Sequence, residues 1–275
     1  MPKVVYLDRN IYDALNRMPN GSDYVALLKK FINEGRISIP SSFLVLEETL
    51  PVLKAKDKTK IDKEQKILAD LMDWRVIIKP PDELLEDAVN AWASGTPLVN
   101  YYYRFTAKSK DFFKLTPAEE AELLKVLQEA RDKYKDHQTI VKGFQNDIAS
   151  VKSPGDTIPF SDLYDQQSAF FLDYLVEKFR PELINRPDKK DLLNYNPVKA
   201  HVGYGAAYEL KNIIEGREAK RSDSVDHYHF VSASIADVFV TNDGPLFEKL
   251  SLFKVAGLRV MNLASFLTWV KSGCR

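Results

Sequence analysis

Cysteine is almost missing from this chain. The single thiol, Cys274, stands near the end of the sequence, so no internal disulfide can form and the fold must hold by packing, as suits a reducing compartment. Net charge is missing as well, with 39 Lys and Arg against 39 Asp and Glu. No global field draws a polyanion, and any nucleic-acid binding must come from a local patch. Histidine is scarce, at four residues. His227 and His229 lie two apart in a helical pattern and so point away from each other, which makes them a poor zinc pair; His137 and His201 have no ligand-like neighbours. No Ser/His/Asp order and no reactive-cysteine context is legible. No apolar run reaches the ~18 residues of a membrane span, and a strand begins almost at the first residue, so a cytoplasmic protein is expected.

What is present is ordinary for a folded domain: 45% hydrophobic and 28% charged residues over 275 positions. That length supplies one large core, with or without a second lobe. The most informative stretch is SDSVDHYHFVSASIADVFVTND, Ser222 to Asp243. Ser222 or Ser224 is placed to cap a helix carrying Asp223 and Asp226 in its first turn, where the helix dipole is expected to keep Asp226 ionised. A buried strand follows over 238–241 and ends at Asn242-Asp243-Gly244-Pro245, which must turn. Ligands of open α/β sheets gather beyond the carboxyl ends of parallel strands, which is where this reading puts Asp243. The plain alternative makes Asp223 and Asp226 first-turn acids and Asp243 a turn former.

The same grammar of strand, acid and helix opens the chain. KVVYL, Lys3 to Leu7, runs into Asp8 and then a helix with Ile11, Leu15 and Met18 on one side. Ser22 or Asp23 is expected to cap a second helix through Leu27, Leu28 and Phe31. RISI, residues 36–39, reads as a second strand, followed by a helix with Phe43, Leu46 and Leu50 on one side and Glu47 and Glu48 standing on it. WRVIIK, 74–79, reads as a third strand with a helix after Pro80-Pro81, and Leu258 to Met261 as the last. Residues 54–66 read as a solvated, lysine-rich helix face. From Pro97 to Ala200 helical patterns dominate and no further parallel strand is legible, so this part reads as an inserted helical lobe or lid.

Two strands thus end in Asp8 and Asp243, and two helix positions offer Glu47 and Asp226. Gathered at one sheet edge these acids repel: a like-charged pair ~4 Å apart costs on the order of 4 kcal/mol at an effective dielectric of ~20. They need a cation, and hard carboxylate oxygens select Mg²⁺ or Mn²⁺. Such a site suits phosphodiester hydrolysis.

In their order, VVYLDRNIY, ISIPSSFLVLEETL, RVIIKPPDELLEDAVNAW and VDHYHFVSASIADVFVTND resemble the PIN domain family of metal-dependent ribonucleases. The resemblance implies an α/β, three-layer core with a central, mostly parallel sheet, built from 1–96 and 201–275, with 97–200 as the inserted helical lobe. It implies an acidic quartet of Asp8, Glu47, Asp226 and Asp243, with Asn10 and Thr241 as polar supports and Asp223 as an additional acid. Glu48 competes with Glu47, since one residue along a helix turns a side chain by ~100°; spacing from the strand favours Glu47. An RNA substrate, single-stranded or structured, is implied too, and so is an antitoxin-like protein partner, as for many small members. Arg9 departs from the pattern, standing where a small residue is usual, and it motivates the alternative of an inactive RNA- or protein-binding module. A haloacid-dehalogenase-like phosphatase also begins with strand and Asp but wants a second Asp where this chain has Asn10.

Rings and cations interleave at Tyr101, Tyr102, Tyr103, Arg104, Phe105, Lys108, Lys110, Phe112, Phe113 and Lys114, a candidate stacking surface for RNA. Arg217, Lys220 and Arg221 are better placed to hold a phosphate near the acids. His201-Val202-Gly203-Tyr204-Gly205 has glycines but follows no strand, which makes it a weak phosphate loop.

Overall fold

The computed structural model describes residues 1–46, 58–104, 116, 118–119, 121–122, 125, 159–215 and 221–274; for 58–62, 64, 65, 74, 212–215 and 221–224 it gives the backbone alone. KVVYL forms β1 (Lys3–Leu7), which lies inside a four-stranded sheet with β2 (Ile37–Ser38), β6 (Val238–Val240) and β7 (Arg259–Met261). The order is β2-β1-β6-β7 and every pairing is parallel. Val5, Tyr6 and Leu7 stand opposite Val238, Phe239 and Val240, and all six are at most 2% exposed. Consecutive residues point to opposite faces, so burial of all of them requires cover on both sides, as parallel sheets have.

Cover begins with α1 (Arg9–Arg17) and α2 (Gly21–Asn33). They turn sharply into each other: a Cβ on Gly21 would lie 1.8 Å from the carbonyl oxygen of Leu15, so no other residue fits there without moving the backbone. The α2 cap position is Asn20, and its side chain makes no capping bond. Ser22 and Asp23, the expected caps, are already inside the helix.

A second sheet departs from the sequence reading. WRVIIK belongs to β4 (Asp73–Ile78), which joins β3 (Pro40–Ser42) and β5 (Tyr102–Arg104) in a separate three-stranded sheet, not the four-stranded one. Proline explains the break. Pro40 has no N–H to continue the ladder beside β1. After Ile39 the chain steps across, and the Ile39 carbonyl accepts the Asp73 amide at 2.9 Å. β3 and β4 run parallel, whereas β5 is antiparallel to β4. Tyr101, Tyr102 and Tyr103 pack partly against the core, with the Tyr103 hydroxyl on Glu83 and that of Tyr101 on the Leu98 carbonyl.

Helices α3 (Lys58–Leu71) and α4 (Pro81–Ala93) flank β4. The rest of the cover is α5 (Phe160–Phe179), α6 (Asn196–Glu215), α7 (Arg221–Ala233), α8 (Gly244–Leu250) and α9 (Leu263–Lys271). The HVGYG stretch is helical and lies inside α6, so it is not a phosphate loop. Its glycines allow close packing: a Cβ on Gly203 would come within 2.3 Å of the Phe253 ring, and one on Gly205 within 2.8 Å of Phe171. The buried residues of both sheets and of these helices form one hydrophobic cluster. Among the described residues no helix is long and apolar enough to cross a membrane.

Candidate active site

Asp8 follows the last residue of β1, and its amide extends the ladder to the Val240 carbonyl at 3.0 Å. It occupies the cap position of α1 yet makes no side-chain capping bond. Its carboxylate is committed elsewhere. Asp8 Oδ2 accepts from Asn10 Nδ2 and from Thr241 Oγ1, each at 2.7 Å. Asn10 Nδ2 also reaches Thr241 Oγ1 at 3.2 Å, and its Oδ1 accepts the Asn242 amide at 3.1 Å. Thr241 Oγ1 in turn accepts the Asp243 amide at 3.1 Å. Thr241 and Asn10 therefore stitch together the ends of two neighbouring strands.

Asp243 caps α8, its Oδ1 accepting the Leu246 amide at 2.8 Å. The preceding Asn242 holds the start of α9 through the Leu263 amide at 3.0 Å. One oxygen of Asp243 is thus fixed by a helix, as one oxygen of Asp8 is fixed by Thr241 and Asn10.

Asp226 completes the group. Its carboxyl is pushed up to about 6, first by burial and then by the charge of Asp243, with Asp8 adding to the effect while Lys249 and His229 oppose it. This overturns the expectation that the helix dipole holds Asp226 ionised. The helix starts at Arg221, so Ser222 and Ser224 are inside it and not ahead of it. Asp226 falls past the first turn, where the dipole's influence has faded, and loss of water together with two neighbouring carboxylates decides its protonation. Tyr12, buried on α1, is likewise raised by burial and then by Asp8.

Asp226 is therefore near enough to Asp243 and Asp8 for their charges to act on it, and Asn10 and Thr241 bond Asp8 to the backbone that leads into Asp243. Glu47 and Glu48 lie outside the described residues. Residues 43–46 are helical and lead toward them, with Ser42 Oγ accepting the Val45 amide at 3.2 Å. Asp223 lies in α7, one turn before Asp226. Arg217 and Lys220 are outside the described residues, and Arg221 is the first residue of α7.

Among the described residues no three His, Cys, Asp or Glu side chains already stand close enough to enclose a metal. The donor chemistry nevertheless fits a hard divalent ion. Asp8 Oδ1, Asp243 Oδ2 and the Asp226 carboxyl receive no hydrogen bond among the described residues, and the repulsion that raises Asp226 is what a cation would relieve.

One neighbour of the site, Lys249, escaped sequence reading, whereas His229 was expected as a packed or hydrogen-bonded group that could face the acids. Lys249, 1% exposed, donates from Nζ to the Tyr204 hydroxyl at 3.3 Å and lies 5.4 Å from the ring centres of Tyr204 and Tyr208. The signal was present: Leu246, Lys249 and Leu250 are the buried residues of α8, so a lysine occupies the apolar stripe. His229, which acts on Asp226, pairs its Nδ1 with the Tyr6 hydroxyl at 2.7 Å, and that hydroxyl meets Ser42 Oγ at 3.0 Å. His227 is buried. It stacks on His201 and Tyr204, with centroids 4.7 Å away in each case.

No family model, curated protein or solved structure matches this chain.

Proposed function

We propose that the chain is a PIN-like, Mg²⁺- or Mn²⁺-dependent ribonuclease. One observation carries the reading: the carboxyl of Asp226, on α7, is raised first by burial and then by the charges of Asp243 and Asp8, which lie just past the ends of different strands. An acid raised by burial and by neighbouring acids at the carboxyl edge of a parallel sheet suits a cation-binding centre better than a structural role.

Asp8, Asp226 and Asp243 would hold the ion, with Glu47 as the fourth acid and Asp223 as an additional one. Bound there, a divalent ion supplies an acidified water and charge to steady the leaving oxygen of a phosphodiester. The chain's own groups do the positioning. Thr241 and Asn10 occupy Oδ2 of Asp8 and so aim Oδ1 away from them. The α8 amide does the same for Asp243. Asp226 gives up its proton when the site fills. RNA is held by basic groups outside the acids, among which Arg221 begins the helix of Asp226.

Calorimetric titration of Mn²⁺ into the wild type and Asp8→Asn, paired with cleavage of a labelled RNA, tests this. Binding and Mn²⁺-dependent cleavage are expected in the wild type, and both should fall at least about tenfold in Asp8→Asn. Arg9, directly after Asp8 and partly exposed, favours a second reading: a non-catalytic RNA- or protein-binding module. Absent or equal Mn²⁺ binding in the two proteins would decide for it.

A further inference from the structure

The parallel sheet has two ends, and Asp8 and Asp243 follow the strands at one of them. At the other, where Lys3, Val238 and Arg259 begin β1, β6 and β7, these three residues line a cavity of about 780 Å³. That volume lies within the range of pockets that take small ligands. The walls are apolar and rich in rings: Phe230, Phe247, Phe253 and Trp269, with Leu250 and Val255. Phe247 is 39% exposed, and contact with the apolar body of a ligand would take that ring surface out of water.

The charge along these walls is one-sided. Lys3, Lys254 and Arg259 line the cavity against a single acid, Asp237. That acid is already committed, its Oδ1 accepting from Lys3 Nζ and its Oδ2 from the Val4 amide, each at 2.8 Å. Lys254 and Arg259 are exposed and have no ion pair among the described residues. A ring-lined pocket with two uncommitted cations is complementary to a molecule that joins a planar apolar body to an anionic group.

We infer that this cavity is a second ligand site and takes an aromatic carboxylate, whose rings pack on the aromatic wall while its anion is held by Lys254 and Arg259. The site stands apart from the acids and is independent of whether they bind Mn²⁺. Helix α8 is common to both, with Asp243 as its cap on the acidic side and Phe247 and Leu250 in the cavity wall.

Titrating naphthoate into the isotope-labelled full chain, followed by the indole N–H cross-peaks in heteronuclear NMR spectra, tests this. The Trp269 cross-peak, assigned through Trp269→Phe, should shift saturably under the ring current of the ligand, while that of Trp92, which is not in the wall, stays in place. Naphthylmethanol, similar in shape and uncharged, should bind at least about fivefold more weakly. Lys254→Gln and Arg259→Gln should each weaken naphthoate binding about threefold to tenfold and leave that of the alcohol unchanged. Ala256→Trp, an enlargement of an exposed lining residue, should weaken both ligands by obstruction. The inference is overturned by a Trp269 cross-peak that does not shift, by equal affinity for acid and alcohol, by glutamine variants that bind naphthoate as the wild type does, or by binding that Ala256→Trp leaves intact.

Discussion

Asp226 has the site's largest resolved acid shift, and the sign of that shift fixes two behaviours. With its carboxyl pushed up to about 6 against ~3.9 in an unfolded chain, the folded protein binds the extra proton between those values. Its contribution to stability is therefore fullest below the unfolded value and is lost as pH rises through the folded one. Asp226→Asn is expected to stabilise the metal-free protein at pH 7.5 by on the order of 2 kcal/mol and to flatten the pH dependence of stability between about 4 and 6, as urea melts in EDTA would show. A metal bound as proposed would have to displace the same proton. Mn²⁺ affinity is thus expected to be level above pH 7 and to fall up to about tenfold per pH unit below about 6, measurable by calorimetry across a pH series. Thr241→Val removes the donor to Asp8 and the acceptor of the Asp243 amide at nearly constant volume. A loss of about 1–3 kcal/mol in urea stability is expected, with weaker Mn²⁺ binding. Asp8, Asn10, Thr241 and Asp243 were legible because strand, acid and turn are local signals. The protonation of Asp226 was not, since it depends on groups distant in sequence and on a helix start several residues from the apparent caps.

At the level of elements, glycines mark where helices touch. Gly203 lies against Phe253 and Gly205 against Phe171, so Gly203→Ala is expected to cost about 1–3 kcal/mol through overpacking. Exposed Gly244, where an added Cβ would meet no atom within 4 Å, should accept alanine with little change; paired thermal melts compare the two. Read as sequence, the HVGYG stretch is only a weak candidate for a phosphate loop, because glycine marks both turns and close helix contacts, and only the packing partners decide between them. The strand order shows the same limit. β1, β6 and β7 announce themselves by apolar, β-branched runs, whereas the transfer of WRVIIK to a second sheet depends on Pro40 ending one ladder and on β5 supplying an antiparallel edge.

For the whole molecule, both sheets contribute to one hydrophobic cluster, which includes Trp92 of α4 and Trp269 of α9. The described parts are therefore expected to unfold together. Urea curves of the double variants Trp74→Phe/Trp92→Phe and Trp74→Phe/Trp269→Phe, each followed by the fluorescence of the one tryptophan left and by far-UV circular dichroism, should coincide in midpoint for each variant. Separate transitions would instead assign the two sheets to independent units. The acid-bearing strands were legible from their apolar runs, whereas their parallel pairing was expected only as what the family resemblance implies. The second sheet, the buried lysine and the hydrogen-bond network of Asp8 belong to the assembled chain alone.

The Asp8 network has a temporal side. The hydrogen bond from Thr241 to Asp8 spans 233 positions, and β1 gains its β6 neighbour equally late. During translation β1 must wait, with its acid uncommitted, until the 233 positions that separate Asp8 from Thr241 have been made. A product terminated before β6 would lack the strand that pairs with β1 and the threonine that fixes Asp8, so this hydrogen-bond network forms only after that strand has been made.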